Sequence, residues 1–426
     1  MERSASRKSS VIDLIITFIF LNSLGFPGNF TRVFGDWLGT VVEYVAFLLM
    51  IAVMLMTSAD NVMEMVVLDL RKKYASIYML AAVLFVTSMV VTVSISKQSI
   101  TCVRFTVTVM FTLWLCNQFS LQDVLERVYF AQILFIGFTL VFVVLFSGYV
   151  HRESAAYADD FVGLYSAKNG AGSELAFGIL VQVVLLRLYK QQRKQVPSLF
   201  IIVLAVQAVL LFLTHNVGAM LTLAVPVIYL LRFQPRWGVQ WRLPLGWMYV
   251  IGSVGFLIVA LTIIPLFTPL FEALGKDATL TGRIPLWEAA LDLIMNNHTL
   301  MGYGYAMFWR DESAVALLHS AFDEHSFMAQ QMSGSHNVLI EMLLNSGVVG
   351  VGMFFITMLA TMKRIRELDE ERYIWCSGYV IFFMMYGFTE RAFTTYEYLT
   401  MFLFFTLGAA CCRADRGPLL RRSDHL

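Results

Sequence analysis

Apolar residues fall into long runs separated by short polar stretches, and the runs approach the roughly 20 residues a helix needs to cross a hydrocarbon core. They lie near 11–26, 38–57, 74–96, 100–117, 128–150, 170–189, 197–214, 217–232, 245–270, 336–360, 373–390 and 396–412, which predicts about 12 transmembrane helices. The first and eighth are short. The run from Val11 lacks a small-residue cleavage site and is expected to be retained as a span. No repeat of fixed period and no low-complexity tract breaks the pattern. The expected fold is an all-α polytopic membrane protein, with 1–426 forming a single integral membrane domain.

Cytoplasmic loops favour Lys and Arg, which tests the alternation. With the amino terminus placed inside, 22 Lys and Arg fall on the inner side and eight on the outer, and Arg104 remains within a span. Both termini are therefore expected on the cytoplasmic side. The one long polar connection, 271–335, then lies outside. It carries Trp287, Phe308, Trp309, Phe322 and Phe327, too aromatic for a disordered segment. Residues 285–297 repeat apolar positions at helical spacing and predict a short amphipathic helix at the membrane face. Ordered loops of this length are usually functional.

Composition adds exclusions. The chain is 58% hydrophobic and 14% charged with a mean hydropathy of +0.70, which excludes a soluble enzyme. A net charge of +1 gives no sign of a nucleic-acid partner. Cys102, Cys116, Cys376, Cys411 and Cys412 sit in apolar runs without ligand spacing, and are expected to be membrane-buried thiols rather than a zinc site or disulfide framework.

Candidate chemistry concentrates on the outer side. In Thr279-Leu280-Thr281-Gly282-Arg283-Ile284-Pro285-Leu286-Trp287, Pro285 suits the first position of a helix. Arg283 would then stand beside free amides and a positive dipole end, a site for a multiply charged anion such as phosphate. Pairing with lipid headgroups or Glu288 is the equal alternative. In Ser333-Gly334-Ser335-His336-Asn337, Ser335 is a plausible N-cap, placing His336 in the first turn of a membrane helix. The dipole there disfavours imidazolium, so a neutral His336 able to act as a general base is expected, against a purely hydrogen-bonding role. Gly302-Tyr303-Gly304-Tyr305 permits a sharp turn or close approach to a ligand. Lys168 could neutralise a second phosphate or snorkel, and Asn169 could cap span six. Glu390 and Arg391 close span eleven as an adjacent charge pair or part of a site wall. Arg104, within its span, is read as cavity-facing or snorkelling. No Asp-x-Asp lies in an outer loop, and His298, His319, Asp323, Glu324 and His325 lack the spacing of a catalytic zinc site, so no metal or other cofactor is expected.

The ordered set Thr281-Gly282-Arg283-x-x-x-Trp287, Gly302-Tyr303-Gly304-Tyr305 and His336-Asn337-x-x-x-Glu341-x-x-x-x-x-Gly347-x-x-Gly350 resembles the O-antigen ligase and polymerase family, and Lys168-Asn169 resembles its exopolysaccharide-polymerase branch. The resemblance implies a bacterial inner-membrane glycosyltransferase with a large periplasmic loop. Such an enzyme moves a glycan from a polyprenyl (undecaprenyl) diphosphate carrier to a hydroxyl acceptor, a glycan or lipid A-core, beside possible polysaccharide-assembly partners. It further implies that Arg283 binds the diphosphate and His336 activates the acceptor. Asn337 belongs to the same motif. Where the family carries a basic residue between spans seven and eight, this chain has His215 in Leu213-Thr214-His215-Asn216-Val217-Gly218. Either His215 is protonated in the complex, or Lys168 or Arg104 supplies the charge.

Arg283 would meet the charge that develops on the departing diphosphate, and His336 would take the acceptor proton on the opposite face. The expected reaction is metal-independent and inverting. Trp287, Tyr303 and Tyr305 are candidate sugar or lipid contacts, with interfacial anchoring as the alternative. The competing class is a multi-span transporter or flippase of lipid-linked oligosaccharide, which should place charge at mid-bilayer in two similar halves. Ligase and polymerase share donor chemistry and are not separated by these residues.

Overall fold

A computed structural model describes residues 2–26, 28, 30–58, 73–92, 94–149, 160–165, 167–233, 242–269, 279–280, 282–322, 334–363, 365–392 and 397–412. Among them the chain is helical, without a β-sheet. The helices are α1 (Glu2–Ser23), α2 (Phe30–Phe34), α3 (Trp37–Ser58), α4 (Ala75–Val91), α5 (Ile95–Gln118), α6 (Leu121–Leu145), α7 (Lys168–Gln191), α8 (Ser198–Leu213), α9 (Val217–Ile228), α10 (Leu245–Ile258), α11 (Arg283–Leu293), α12 (Glu312–His319), α13 (Val338–Met362), α14 (Glu370–Thr389) and α15 (Tyr398–Cys411). A helix occupies each of the apolar segments read from the sequence. Six are long and apolar enough to cross a membrane. Five further apolar helices are shorter, and α14 opens on charged residues.

Their composition explains the choice of helix. In hydrocarbon each backbone N–H and C=O needs an internal partner, which a helix supplies within one segment. The ends are fixed by side chains: Ser120 and Asp123 form a reciprocal capping box on α6, and Asp369 accepts the Arg372 N–H of α14 at 2.8 Å.

Buried helices α7, α14 and α15 meet in an aromatic core. Phe177 lies 5.0 Å from both Tyr398 and Phe402, and the indole N–H of Trp375 donates to Thr406 at 2.9 Å. Around them α9 packs on α7 and α14, α10 on α13 and α14, α4 on α13, and α1 on α6.

A second apolar cluster holds the connection between α10 and α13 against the bundle. Ile284, Leu286, Trp287, Ala290 and Leu293 of α11 join Phe308, Leu318, Ala260, Ile340 and Leu344. The expected short helix is thus present, packed on other helices through its apolar face.

The segment after α11 plugs a break in α13. Gly347 departs from helical geometry at φ 60°, ψ −166°, so neighbouring backbone groups lose their helical partners. The connection replaces them: Val348 N–H donates to Thr299 O at 2.9 Å, Val349 N–H to Leu300 O at 3.1 Å, and Tyr303 N–H to Leu344 O at 2.8 Å. Two glycines make the approach possible. A Cβ on Gly347 would stand 2.4 Å from the Leu300 carbonyl carbon, and one on Gly302, at φ 64°, would stand 2.6 Å from the Ser346 nitrogen.

Gly302→Ala and Gly347→Ala are therefore each expected to cost at least about 2 kcal/mol, from left-handed strain plus collision with backbone. Melting of the detergent-solubilised protein checks this, and parental stability in both variants would contradict it.

Candidate functional site

The anion-site candidate starts at Gly282, whose φ of 79° turns the chain into α11. Its N–H donates to Thr279 Oγ1 at 2.8 Å, and the Ile284 N–H donates to Thr279 O at 3.1 Å. Arg283 is the first helical residue and Pro285 the third, so the expected placement of both shifts by two positions. Pro285 is still tolerated because first-turn amides have no intrahelical partner. With the Gly282 and Ile284 amides engaged and Pro285 lacking one, the full charge offered here is the Arg283 guanidinium.

The histidine turn also differs from expectation. Asn337, not Ser335, caps α13: its Oδ1 accepts from Leu339 and Ile340 N–H at 2.9 and 3.2 Å, and its Nδ2 donates to Phe388 O at 3.2 Å. Ser335 is engaged elsewhere, its hydroxyl 2.8 Å from Glu341 Oε2. His336 consequently lies just outside the helix, at φ 51°, a left-handed conformation uncommon for a residue with a side chain.

Glu390, at the carboxyl end of α14, joins these pieces. Its Oε1 accepts from Arg283 Nη2 at 2.9 Å and from Asn169 Nδ2 at 2.9 Å, and its Oε2 lies 3.0 Å from His336 Nδ1. Asn169 therefore does not cap α7; it is the second residue of that helix, and its amide is turned toward the carboxylate. The Glu390 side chain is 14% exposed, Arg283 23% and His336 28%, so the group is sheltered yet reachable. Arg391 lies over Gly334, where a Cβ would stand 2.6 Å from Arg391 Cδ.

A second, similar group adjoins it. Asp160 pairs with Lys168 Nζ at 2.9 Å and with His215 Nδ1 at 3.2 Å. Asn216 caps α9 by accepting from Ala219 N–H at 3.0 Å, and its Nδ2 reaches Asn169 Oδ1 at 3.4 Å. His215 also sits at positive φ, 50°. Thr214-His215-Asn216-Val217 and Ser335-His336-Asn337-Val338 thus build one turn twice: a left-handed His on a carboxylate beside a cation, followed by a capping Asn. The repeated His-Asn-Val signals this in the sequence; Asp160 carries no such signal and went unrecognised. Burial pushes the Asp160 carboxyl up, but hydrogen bonds from Lys168 and His215 outweigh this and hold it below its ordinary value.

The remaining candidates have other settings. Arg104 Nη1 pairs with Glu43 Oε1 at 3.1 Å, and its guanidinium lies over the Tyr44 ring at 4.5 Å. Among the described residues no ion pair or hydrogen bond joins it to either carboxylate group. Trp287 is fully buried, and its indole N–H donates to Ser335 O at 2.8 Å, so it supports the histidine turn rather than facing a sugar. Tyr305 is likewise buried, its N–H on Ser88 Oγ at 2.7 Å. Gly302 is taken up by the α13 break. Gly304 faces Gln98, and Tyr303 packs on His298 and Phe308. Among the described residues no three His, Cys, Asp or Glu form a metal-holding group, and Asp323, Glu324 and His325 lie outside those residues.

Taken with the fold, this is a multi-pass helical membrane protein carrying a sheltered cation–carboxylate–imidazole cluster. The O-antigen ligase family model matches residues 200–355, which include His215, Arg283, His336 and Glu341 but not Lys168, Asn169 or Glu390. The exopolysaccharide production protein ExoQ of Rhizobium meliloti (strain 1021) is 26% identical over 149 residues, 32% of this chain and 32% of that protein. The match thus spans about a third of the curated relative's length. These similarities bear out the resemblance read from the motifs and support a role in cell-surface polysaccharide synthesis.

One consequence of the second cluster is pH-dependent stability. A carboxyl whose folded value is depressed stabilises above its unfolded range, about pH 4, and loses that contribution as pH falls through the folded value. Asp160→Asn is expected to melt below the parent at pH 7, with the gap closing below about pH 4. Identical melting at pH 7 would refute the linkage.

Proposed function

We infer that the protein is a membrane glycosyltransferase that moves a glycan from a polyprenyl diphosphate carrier to a hydroxyl acceptor. The observation that carries this reading is the single carboxylate, Glu390, shared by Arg283 and His336 at 2.9 and 3.0 Å. In the reading, twelve helices cross the bacterial inner membrane with both termini cytoplasmic, and the cluster opens on the periplasmic side.

The chemistry follows from the donors and acceptors present. The tautomer that donates Nδ1–H to Glu390 leaves His336 Nε2 with a lone pair directed away from the carboxylate, the arrangement a general base requires. Nε2 takes the acceptor hydroxyl proton while the acceptor oxygen attacks the anomeric carbon. The bond from that carbon to the diphosphate oxygen breaks, and its electron pair stays on the diphosphate. A guanidinium has five N–H donors, so Arg283 can hold Glu390 through Nη2 and present others to the phosphates. Attack opposite the leaving group inverts the anomeric carbon. Lys168 is the further cation for the diphosphate, held with His215 on Asp160 next to the reacting group; Arg104, paired with Glu43, is left out of this assignment. The cations meet the developing charge without metal.

Arg283→Ala and His336→Ala are expected to remain folded in the membrane and to lose glycan transfer by about 100-fold or more. A purified assay with lipid-diphosphate glycan measures this, and parental turnover by both variants would remove the mechanism. The same assay is expected to be indifferent to EDTA; inhibition restored by Mn²⁺ would overturn metal independence. Deletion followed by glycan analysis separates the acceptors. Single repeats without long chains mark a polymerase, and full chains stranded on the carrier mark a ligase.

A further inference from the structure

Glu341 stands in the first turn of α13, 2% exposed, and among the described residues every partner of its carboxylate is a donor. The indole N–H of Trp309 reaches Oε1 at 2.9 Å and Oε2 at 3.1 Å, and Asn345 Nδ2 donates to Oε1 at 3.2 Å. Ser335 supplies two more contacts to Oε2, through its N–H at 3.2 Å and its hydroxyl at 2.8 Å. Among the described residues it forms no ion pair, so hydrogen bonds alone compensate its burial.

The partners matter more than their number. Ser335 precedes His336, and its carbonyl accepts from Trp287 on the helix that begins with Arg283. Trp309 belongs to the outer connection, in the 3-10 turn Phe308–Arg310, whose Phe308 is buried in the second apolar cluster. Glu341 thus ties the seated connection to the residue that aims the histidine. A left-handed non-glycine residue persists only where its surroundings over-determine it, and Ser335 on one side and the capping Asn337 on the other do so for His336.

We propose that Glu341 is a positioning residue: through Ser335 it sets the His336 ring on Glu390, and through Trp309 it makes that setting depend on the docked connection. The proposal rests on the glycosyltransferase reading above. Glu341→Gln replaces one acceptor oxygen with an amide donor, which must then face the donors of either Trp309 or Ser335. Trp309→Phe deletes the indole N–H and keeps a ring beside Phe308.

The test is steady-state kinetics of the full-length purified protein with lipid-diphosphate glycan, on variants that elute as folded, monodisperse protein. Misplacing a catalytic group by about 1 Å costs on the order of 100-fold in rate. Each single variant is expected to lose between 10- and roughly 100-fold in kcat while KM for the donor stays near the parental value, because Arg283 is untouched. The double variant is expected to be no worse than the poorer single one, since both cut one chain of contacts. If Glu341→Gln does not fold, Trp309→Phe alone decides. Unchanged kcat in the folded variants, a loss confined to KM, or losses that multiply in the double variant would overturn the proposal. Arg283→Ala and His336→Ala run alongside. If they are inactive while the Glu341 and Trp309 variants keep the parental kcat, positioning alone fails; if they retain parental turnover, the underlying reading fails with it.

Discussion

One carboxylate organises the site end of this protein. Glu390 comes from the end of α14, Arg283 from the start of α11, His336 from the turn before α13 and Asn169 from the start of α7, and all converge on its two oxygens. Without it, a guanidinium and an imidazole would face each other with no shared acceptor to fix their geometry. With it, they are held at one place while the guanidinium keeps donors for a ligand. A sheltered carboxylate of this kind is costly unless every lone pair is used, and here Asn169 adds a neutral amide donor without adding charge.

Holding the carboxylate's partners requires the connection between α10 and α13 to be seated rather than loose. The break at Gly347 does this by exposing backbone groups that the 299–303 segment satisfies. In a hydrocarbon setting such groups could not be left bare, so loop and helix specify each other. Trp287 and Trp309 then carry the registration from the seated segment to the histidine turn, through Ser335 and Glu341. The neighbouring Asp160 group, built on the same His-Asn turn, meets the first through Asn169 and Asn216.

Much of this was legible in the chain. Apolar run length placed the helices, because burial in hydrocarbon leaves few other options for the backbone, and the 285–297 periodicity located α11. His336 and Glu390 were singled out from their positions at span ends, and Arg283 from the entry to the short helix of the long connection. What the sequence could not show was which side chains compete for one partner. Ser335 and Asn337 are both good caps, and only the positions of Glu341 and Phe388 decide between them. Gly302 and Trp287 read as ligand contacts because close approach and aromatic surface look alike whether they serve a sugar or a neighbouring helix. Arg104 read as cavity-facing or snorkelling because its partner, Glu43, stands on another helix across the α3–α5 contact. Asp160 lies in a stretch with no periodicity, and its pairing with His215 across more than fifty residues leaves no local trace.

The central claim is that Arg283 and His336 serve one reaction at one place. An experimental structure of the full-length protein with a lipid-diphosphate glycan bound tests it most directly. The account predicts phosphate oxygens within about 3 Å of the Arg283 guanidinium, Glu390 still bridging to His336, and the His336 Nε2 facing the anomeric carbon from the side opposite the diphosphate. A diphosphate seated away from Arg283, or an anomeric carbon out of reach of His336, would contradict it.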